Sequence, residues 1–311
     1  MTARPRSTPA RHAARACFST GSPGAAGVRT SSFLGFTAPS IVAMVGLMAV
    51  PLGLTIWTGF HRVTFRGEWR WAGLDNYVVT LEDPDFLRSL WFTLLFCAVT
   101  IPVKILLGFI SALALQGIRP GFRGVFVACA LLPFIVTPVV GTLAFSWLFR
   151  DFGIVTWLLT EMGVRIHWLG SDAASRALVM IHYVWHGTPF ATIVLFAGLQ
   201  GVPKDEIEAA IVDGAGFWYR LQALILPHLR SLIVFLALMM VMDGYRVFDS
   251  IYVLTRGVNG TESVMMYNYR IAIVENAVAR GSAVSILTVL GILVLLIPFL
   301  VNTWREQRSI R

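Results

Sequence analysis

The chain has 311 residues, of which 56% are hydrophobic and only 14% are charged, and these proportions lie far outside those of soluble proteins. Its net charge of +8 comes from basic residues scattered between apolar runs. This distribution excludes a nucleic-acid-binding module and favours contact with anionic membrane lipid.

The N-terminal segment, residues 1–31, is rich in Ala, Arg, Ser, Pro and Gly and has hardly any apolar runs. Such a segment cannot bury enough surface to offset the entropy of ordering, so it predicts a disordered tail. The tail contains no acidic residue and five arginines, Arg4, Arg6, Arg11, Arg15 and Arg29. Positive charge before a first span favours a cytoplasmic N-terminus.

Six apolar runs are long enough for transmembrane helices, which need about 20 residues. They are Phe33–Phe60, Ser89–Leu115, Val125–Phe149, Ala177–Leu199, Leu232–Leu254 and Ala283–Val301. The predicted fold class is therefore all-α, a polytopic membrane protein with about six transmembrane helices within residues 32–302. A short cytoplasmic tail, residues 303–311, follows.

The connections between these runs alternate in character. Residues 61–88 form an outer segment whose aromatic residues suit the membrane interface, and Gly117–Arg123 forms a tight basic turn on the inner side.

Pro133 and Pro138 lie inside the third run, where neighbouring helices can satisfy the freed backbone groups. We expect a kink there.

The longest inner loop, residues 201–231, contains a short predicted helix. Asp205 can cap this helix, and Glu208 stands three residues later, as in a capping box. Gly214 is placed to adopt the left-handed conformation that ends a helix.

The middle of the predicted helix carries Ala209 and Ala210, whose small side chains let another surface approach closely, so the helix can dock into a groove. A second helix is expected to begin near Phe217, with Pro227 interrupting it before the fifth span.

The stretch Glu208-Ala-Ala-Ile-Val-Asp-Gly-Ala-Gly216, followed by Leu226-Pro227, resembles the EAA loop of binding-protein-dependent ABC importer permeases. In that family the loop forms a cytoplasmic coupling helix that sits in a cleft of the ATPase subunit. The resemblance therefore implies that the docking residues here are Glu208, Ala209, Ala210, Asp213 and Gly214.

Two further stretches, Gly73–Tyr77 and Phe248–Thr255, resemble the carbohydrate-uptake branch of this family, the maltose and glycerol-phosphate type. The chain departs from that branch at Arg256–Gly260, where Gly-Gly-Pro is usual, and at Ser231, where a second proline is common. The resemblance covers roughly residues 33–301.

The resemblance implies a transport subunit and not an enzyme. The chain contains no Gly-Lys pair and hence no phosphate-binding loop of the Walker type, so we predict no catalytic residue, metal or cofactor in it. The implied partners are a second homologous permease, two ATPase subunits that bind ATP and Mg, and an extracytoplasmic sugar-binding protein. The implied location is the inner membrane of a bacterial or archaeal cell, with both termini cytoplasmic.

Charged residues inside spans usually face a pathway or each other. The fifth run carries Asp243, Arg246 and Asp249 at three-residue spacing, which places them within one half of a continuous helix. Together with Lys104 in the second run, and with Tyr245 and Tyr252, they are the predicted substrate path. Two alternatives stay open: Asp243 and Arg246 neutralise each other within the helix, and Lys104 pairs with the partner permease.

Other functions remain as alternatives. Asp243 and Asp249 are also what an ion-gradient-driven secondary transporter would use for coupling, and the same type of importer could carry a polyol or glycerol phosphate. His182 and His186 have a metal-ligand spacing but lack a third ligand, so helix packing is the favoured interpretation. Cys17, Cys97 and Cys129 predict no disulfide framework.

Overall fold

The computed structural model describes residues 30–63 and 67–309. The predicted disordered tail lies outside the described residues, except for Thr30 and Ser31, which begin the first helix. The described residues form two compact units, one ending at Leu54 and the other beginning at Thr55.

As predicted, the described residues are all-α, apart from one two-stranded hairpin. The first part of the chain comprises α1 (Thr30–Gly59), β1 (His61–Val63), β2 (Trp69–Trp71), α2 (Asp75–Glu82), α3 (Pro84–Gly117), α4 (Pro120–Ile135), α5 (Pro138–Leu148), α6 (Ile154–Glu161) and α7 (Asp172–Gln200). The second part comprises α8 (Lys204–Val212), α9 (Phe217–Arg220), α10 (Leu226–Tyr245), α11 (Asp249–Leu254), α12 (Val264–Tyr269) and α13 (Val278–Ser309). Two π-turns, Leu221–Ile225 and Arg270–Val274, follow α9 and α12 directly.

Among the described residues, five helices are long and apolar enough to cross a membrane, and a sixth crossing results if α4 and α5 count as one broken span. The prediction of about six spans is therefore confirmed. The two halves of the broken span meet at 97°. Pro133 lies inside α4 and Pro138 begins α5, so the break falls between the two prolines that predicted a kink.

The predicted fifth span, Leu232–Leu254, is wrong at both ends. Its helix is continuous from Phe217 and ends at Tyr245. There the Arg246 N–H turns back to the Asp243 carbonyl at 3.2 Å, and the chain is not helical again until α11. Gly244, a weak helix former, stands at this end. The prediction that Asp243, Arg246 and Asp249 lie within one half of a continuous helix is therefore wrong, because the helix ends before Arg246.

Helices α3 and α7 approach each other closely where both have small residues. A Cβ atom on Gly108 of α3 would lie only 2.5 Å from the Cβ of Ala191 on α7. Close approach at small residues is the usual way in which membrane helices associate. Around this contact lies the main apolar core, in which Phe96, Leu195 and Leu229 are fully buried.

The broken span meets the segment that follows α10, because α11 packs against α5. Non-helical backbone at membrane depth is tolerated only where protein or a water-filled cavity surrounds it. We therefore expect the non-helical backbone at 136–137 and 246–248 to face protein or a water-filled cavity and not lipid.

The hairpin of β1 and β2 carries an aromatic cluster at the end of α1. Trp57 stacks on His61 with 4.1 Å between ring centroids, and Trp71 stacks on Phe60 at 5.6 Å. The buried Asn76 side chain donates hydrogen bonds to the Gly59 and His61 carbonyls at 2.9 and 2.8 Å. In the Gly73–Tyr77 stretch, this asparagine therefore ties α2 to the end of α1.

A polar network joins the start of α3 to α12 and α13. The Tyr267 hydroxyl donates to Asp83 Oδ2 at 2.8 Å, and Arg280 donates to both Asp83 and Tyr267. Partial burial by itself raises the pKa of the Asp83 carboxyl, but the bonds from the Asp85 N–H, Tyr267 and Arg280 outweigh it. The pKa of Asp83 therefore lies below its usual value.

Replacing Arg280 with methionine is expected to lower the free energy of unfolding by about 1–3 kcal/mol, because Asp83 and Tyr267 each lose the hydrogen bond that Arg280 donates to them in a partly buried place.

The stability that Asp83 contributes should also depend on pH. Since folding depresses the pKa of Asp83, this stabilisation is present at neutral pH and is lost as the pH falls below about 4. Thermal unfolding in detergent checks this: wild type and Asp83→Asn should differ at pH 7 and converge in acid. Arg88→Met, in an exposed pair with Asp85, is the control expected to change little.

Candidate functional site

The helix α8 is the first candidate site, and its start differs from the prediction. It begins at Lys204, with Pro203 as the residue before it and no side-chain cap. Asp205 is already inside the helix, so the predicted capping box of Asp205 and Glu208 is wrong. Proline fixes the entry angle here, and the carboxylates of Asp205 and Glu206 in the first turn favour the helix through its dipole.

The end of α8 is as predicted. Gly214 has a φ of +78°, the left-handed conformation that glycine adopts most easily. Its N–H donates to the Ile211 carbonyl at 3.0 Å, and the Ala215 N–H donates to the Ala210 carbonyl at 2.8 Å. This bond pair satisfies the last free carbonyls of a helix, and the chain turns sharply away.

None of the residues of α8 is buried, although this nine-residue helix carries large apolar side chains. Val212 is 86% exposed and Ile211 52% exposed. An isolated helix of this length is marginal in water. Helix α8 therefore presents an apolar surface that nothing in the described part of the chain covers.

Most of the predicted docking residues line one recess of about 750 Å³ beside α8, formed with the turn that follows it. Ala209, Ala210, Asp213 and Gly214 all contribute to it. Glu208 is exposed on the same helix but does not line the recess. Sequence reasoning missed Glu206 and Tyr219, which do line it. Glu206 lies four residues before Ala210 and so on the same face of the helix, whereas Tyr219 reaches the recess only through the turn after α8.

The second candidate site lies at the end of α10. Asp243 and Arg246 are exposed, and Asp249 begins the separate helix α11. No ion pair links Asp243 to Arg246 among the described residues: Arg246 Nε donates to the Met242 carbonyl at 3.2 Å, and Asp243 accepts from the Tyr183 hydroxyl at 2.7 Å. The alternative that these two residues neutralise each other is therefore wrong.

The remaining residues of the predicted path divide into two groups. Lys104 and Tyr245 are each only 2% exposed, so they lie inside the helix bundle. Tyr252 is 42% exposed and belongs to an aromatic patch with Phe248 and Tyr269, with ring centroids 5.2–5.6 Å apart. The sequence analysis missed Tyr183 and Tyr269, which only the folded chain brings to this place.

The two histidines of α7 contact the broken span. Thr142 in α5 lies 3.1 Å from His182 Nε2, and the ring of Phe134 in α4 lies 6.2 Å from that of His186. Among the described residues, no group of three or more potential ligands could hold a metal ion. These contacts give both histidines a place in the packing around the break.

Long apolar helices that can cross a membrane, joined in the described part of the chain by an exposed helical loop, define an integral membrane protein. Residues 81–311 match the model of the family described as "Binding-protein-dependent transport system inner membrane component". The chain belongs to this family, and it is a permease subunit of an ABC importer. This membership excludes the ion-gradient-driven secondary transporter kept as an alternative.

Similar proteins include the trehalose/maltose transport system permease protein MalF of Thermococcus litoralis, which is 34% identical over 84% of this chain and 90% of its own. The trehalose transport system permease protein SugA of Mycobacterium tuberculosis is 34% identical over 80% of this chain and 81% of its own. Among solved structures, a chain of a bacterial ABC transporter involved in import of the acidic polysaccharide alginate matches with a TM-score of 0.77. That likeness, at 20% identity and covering 89% of this chain and 97% of the other, concerns the fold.

Proposed function

We propose that this chain is one of two permease subunits of a sugar importer, and that it forms the translocation path together with a second, homologous permease. Two ATPase subunits bind ATP and Mg in this assembly, and an extracytoplasmic binding protein delivers the sugar. The names of the relatives support a sugar as substrate, since they include trehalose and maltose and arabinooligosaccharides.

The observation that carries the proposal is the exposed helix α8. It joins α7 to α9, presents Ile211 and Val212 to its surroundings, and has a recess lined by Ala209, Ala210 and Asp213. A cleft of the ATPase that received α8 would cover this surface. Closure of the ATPase pair around ATP would then move α8 and, through the continuous helix that follows, the spans.

The proposed orientation follows from this contact. ATP is available in the cytoplasm, so the side of the membrane that carries α8 is the cytoplasmic one. With six crossings, both termini then also lie on the cytoplasmic side of the bacterial or archaeal inner membrane. The five arginines of the N-terminal segment support this orientation.

The end of α10 is the proposed substrate path. A carboxylate exposed within a span, as Asp243 is, is costly to leave in lipid and therefore faces a water-filled or protein-lined space. Arg246 and Asp249 offer further hydrogen bonds, and the rings of the Tyr252 patch offer apolar faces to a sugar. With Lys104 buried, Arg246 is the one exposed basic residue of the proposed path, which favours a neutral sugar over glycerol phosphate.

Purification of the tagged chain from its own membranes in mild detergent tests this function. A second permease and an ATPase subunit should co-purify, and vesicles that contain the assembly should take up labelled disaccharide only with ATP and the loaded binding protein. Recovery of the chain without an ATPase would contradict the importer assembly. Inhibition of uptake by glycerol 3-phosphate but not by any sugar would contradict the substrate class.

A further inference from the structure

Lys104 occupies an unusual position for a lysine. It lies in the interior of α3, one of the membrane-spanning helices, and it is only 2% exposed. None of the hydrogen bonds and ion pairs found among the described residues involves its side chain. A charged ammonium is costly to bury in a span unless other groups compensate it, so its surroundings need an explanation.

The surroundings of Lys104 are shaped to receive it. Its Nζ lies 3.7 Å from the centre of the Tyr183 ring on α7, a distance at which a cation is attracted to an aromatic face. One turn further along α7, a Cβ atom on Gly187 would lie 2.7 Å from Lys104 Cδ and 3.1 Å from Nζ. Glycine at this position leaves the space in which the lysine side chain lies.

The same tyrosine reaches a carboxylate on a third helix. The Tyr183 hydroxyl donates to Asp243 Oδ2 at 2.7 Å. A Cβ atom on the neighbouring Gly244 would lie 3.3 Å from that hydroxyl, so the glycine keeps the approach open. Lys104 thus lies over the face of the Tyr183 ring and Asp243 lies at its hydroxyl, so one tyrosine contacts both charged groups, whose opposite charges attract each other. Cys97, His186 and Arg246 are the other titratable groups that act on this cluster.

Only the carboxylate end of this chain of contacts is open. Lys104 and Tyr183 are buried, whereas Asp243 is exposed, and its bond from Tyr183 occupies one oxygen. The other oxygen has no hydrogen-bond partner among the described residues. An ionised carboxylate only accepts hydrogen bonds, and sugar hydroxyls can donate them.

We propose that Lys104 is a positioning residue of the translocation path: it is the buried countercharge that, through Tyr183, keeps the Asp243 carboxylate fixed and ready to accept hydrogen bonds from the hydroxyl groups of a neutral sugar. The part that concerns the sugar rests on the proposed function. The charge balance between Lys104 and Asp243 does not depend on it.

The first test is a set of variants in the assembled importer, with uptake of labelled disaccharide and the thermal midpoint of unfolding both measured. Lys104→Met should lower uptake at least tenfold and lower the midpoint, because Asp243 loses its countercharge. Lys104→Met combined with Asp243→Asn should recover the midpoint but not the uptake. Val103→Met, at a position that lines an apolar groove, is the control expected to leave both unchanged.

A second variant covers the case in which Lys104→Met does not accumulate. Tyr183→Phe keeps the ring under Lys104 and removes only the hydroxyl, so it should fold normally and lose uptake to a similar degree. Wild-type uptake by Tyr183→Phe would overturn the positioning role. Equal midpoints for wild type and Lys104→Met would overturn the charge balance, since a lysine that only fills space tolerates methionine. If wild type itself carries no sugar, the proposed function fails, while the midpoints still decide the charge balance.

Discussion

Replacing Gly214 with valine is expected to lower ATP-dependent uptake at least about tenfold, although the spans stay folded. At a φ of +78° a β-branched residue is strained, so the turn that ends α8 would open and the bonds to the Ile211 and Ala210 carbonyls would be lost. Because α8 buries none of its residues in this chain, the loss should fall on its docking to the ATPase. Uptake, and the amount of ATPase that co-purifies, measure it.

The matched control for this change is Gly214→Asn. A Cβ atom meets nothing within 4 Å at Gly214, and asparagine adopts the left-handed conformation more easily than other residues with a side chain. Gly214→Asn should therefore transport much better than Gly214→Val. Equal loss in both variants would show that added bulk, and not the left-handed turn, is responsible. No loss in either would remove α8 from the coupling mechanism.

The second large effect is expected at Gly108, where alanine should strongly reduce the amount of folded protein. Its new Cβ would lie 2.5 Å from the Ala191 Cβ and 3.0 Å from backbone atoms of α7, so the two helices would have to separate. Overpacking of this kind costs typically 1–3 kcal/mol or more. The yield of monodisperse protein from membranes, and its thermal midpoint, measure the loss.

Gly124→Ala is the control for this change, because it also replaces a glycine within a helix but in an open position with nothing within 4 Å. Alanine favours a helix by about 1 kcal/mol relative to glycine. This variant should be as stable as wild type or slightly more stable. If Gly108→Ala behaved in the same way, the α3–α7 contact would have to be looser than described.

The sequence predicted the features that depend on local pattern. Length and hydropathy located the spans, and the pair Pro133 and Pro138 anticipated the break between α4 and α5. The position of Gly214 predicted a left-handed turn because a glycine after the last helical residue has a strong local preference for it. Each of these features follows from neighbours in the chain.

Apart from the capping box, the features that were missed or predicted wrongly depend on contacts that are distant in sequence. The break after Tyr245 lies in a stretch whose composition suits a continuous helix, and α11 takes its place by packing on α5. Likewise, nothing near Lys104 in sequence indicates that Tyr183 and Gly187 will enclose it. The capping box failed for a local reason, because Pro203 is already the cap residue and the helix begins at Lys204, one residue before Asp205.

The π-turn at Leu221–Ile225 has a consequence for how the importer is assembled. The bond from the Leu226 N–H to the Leu221 carbonyl spans five residues instead of four, so the turn holds one residue more than an α-helix would. One residue corresponds to a rotation of about 100° around a helix axis. The extra residue therefore sets the angle around the axis of α10 at which α8 projects. Removing it would rotate α8 by about that angle and direct it at the wrong part of its neighbour, so the length of this segment matters as well as its composition.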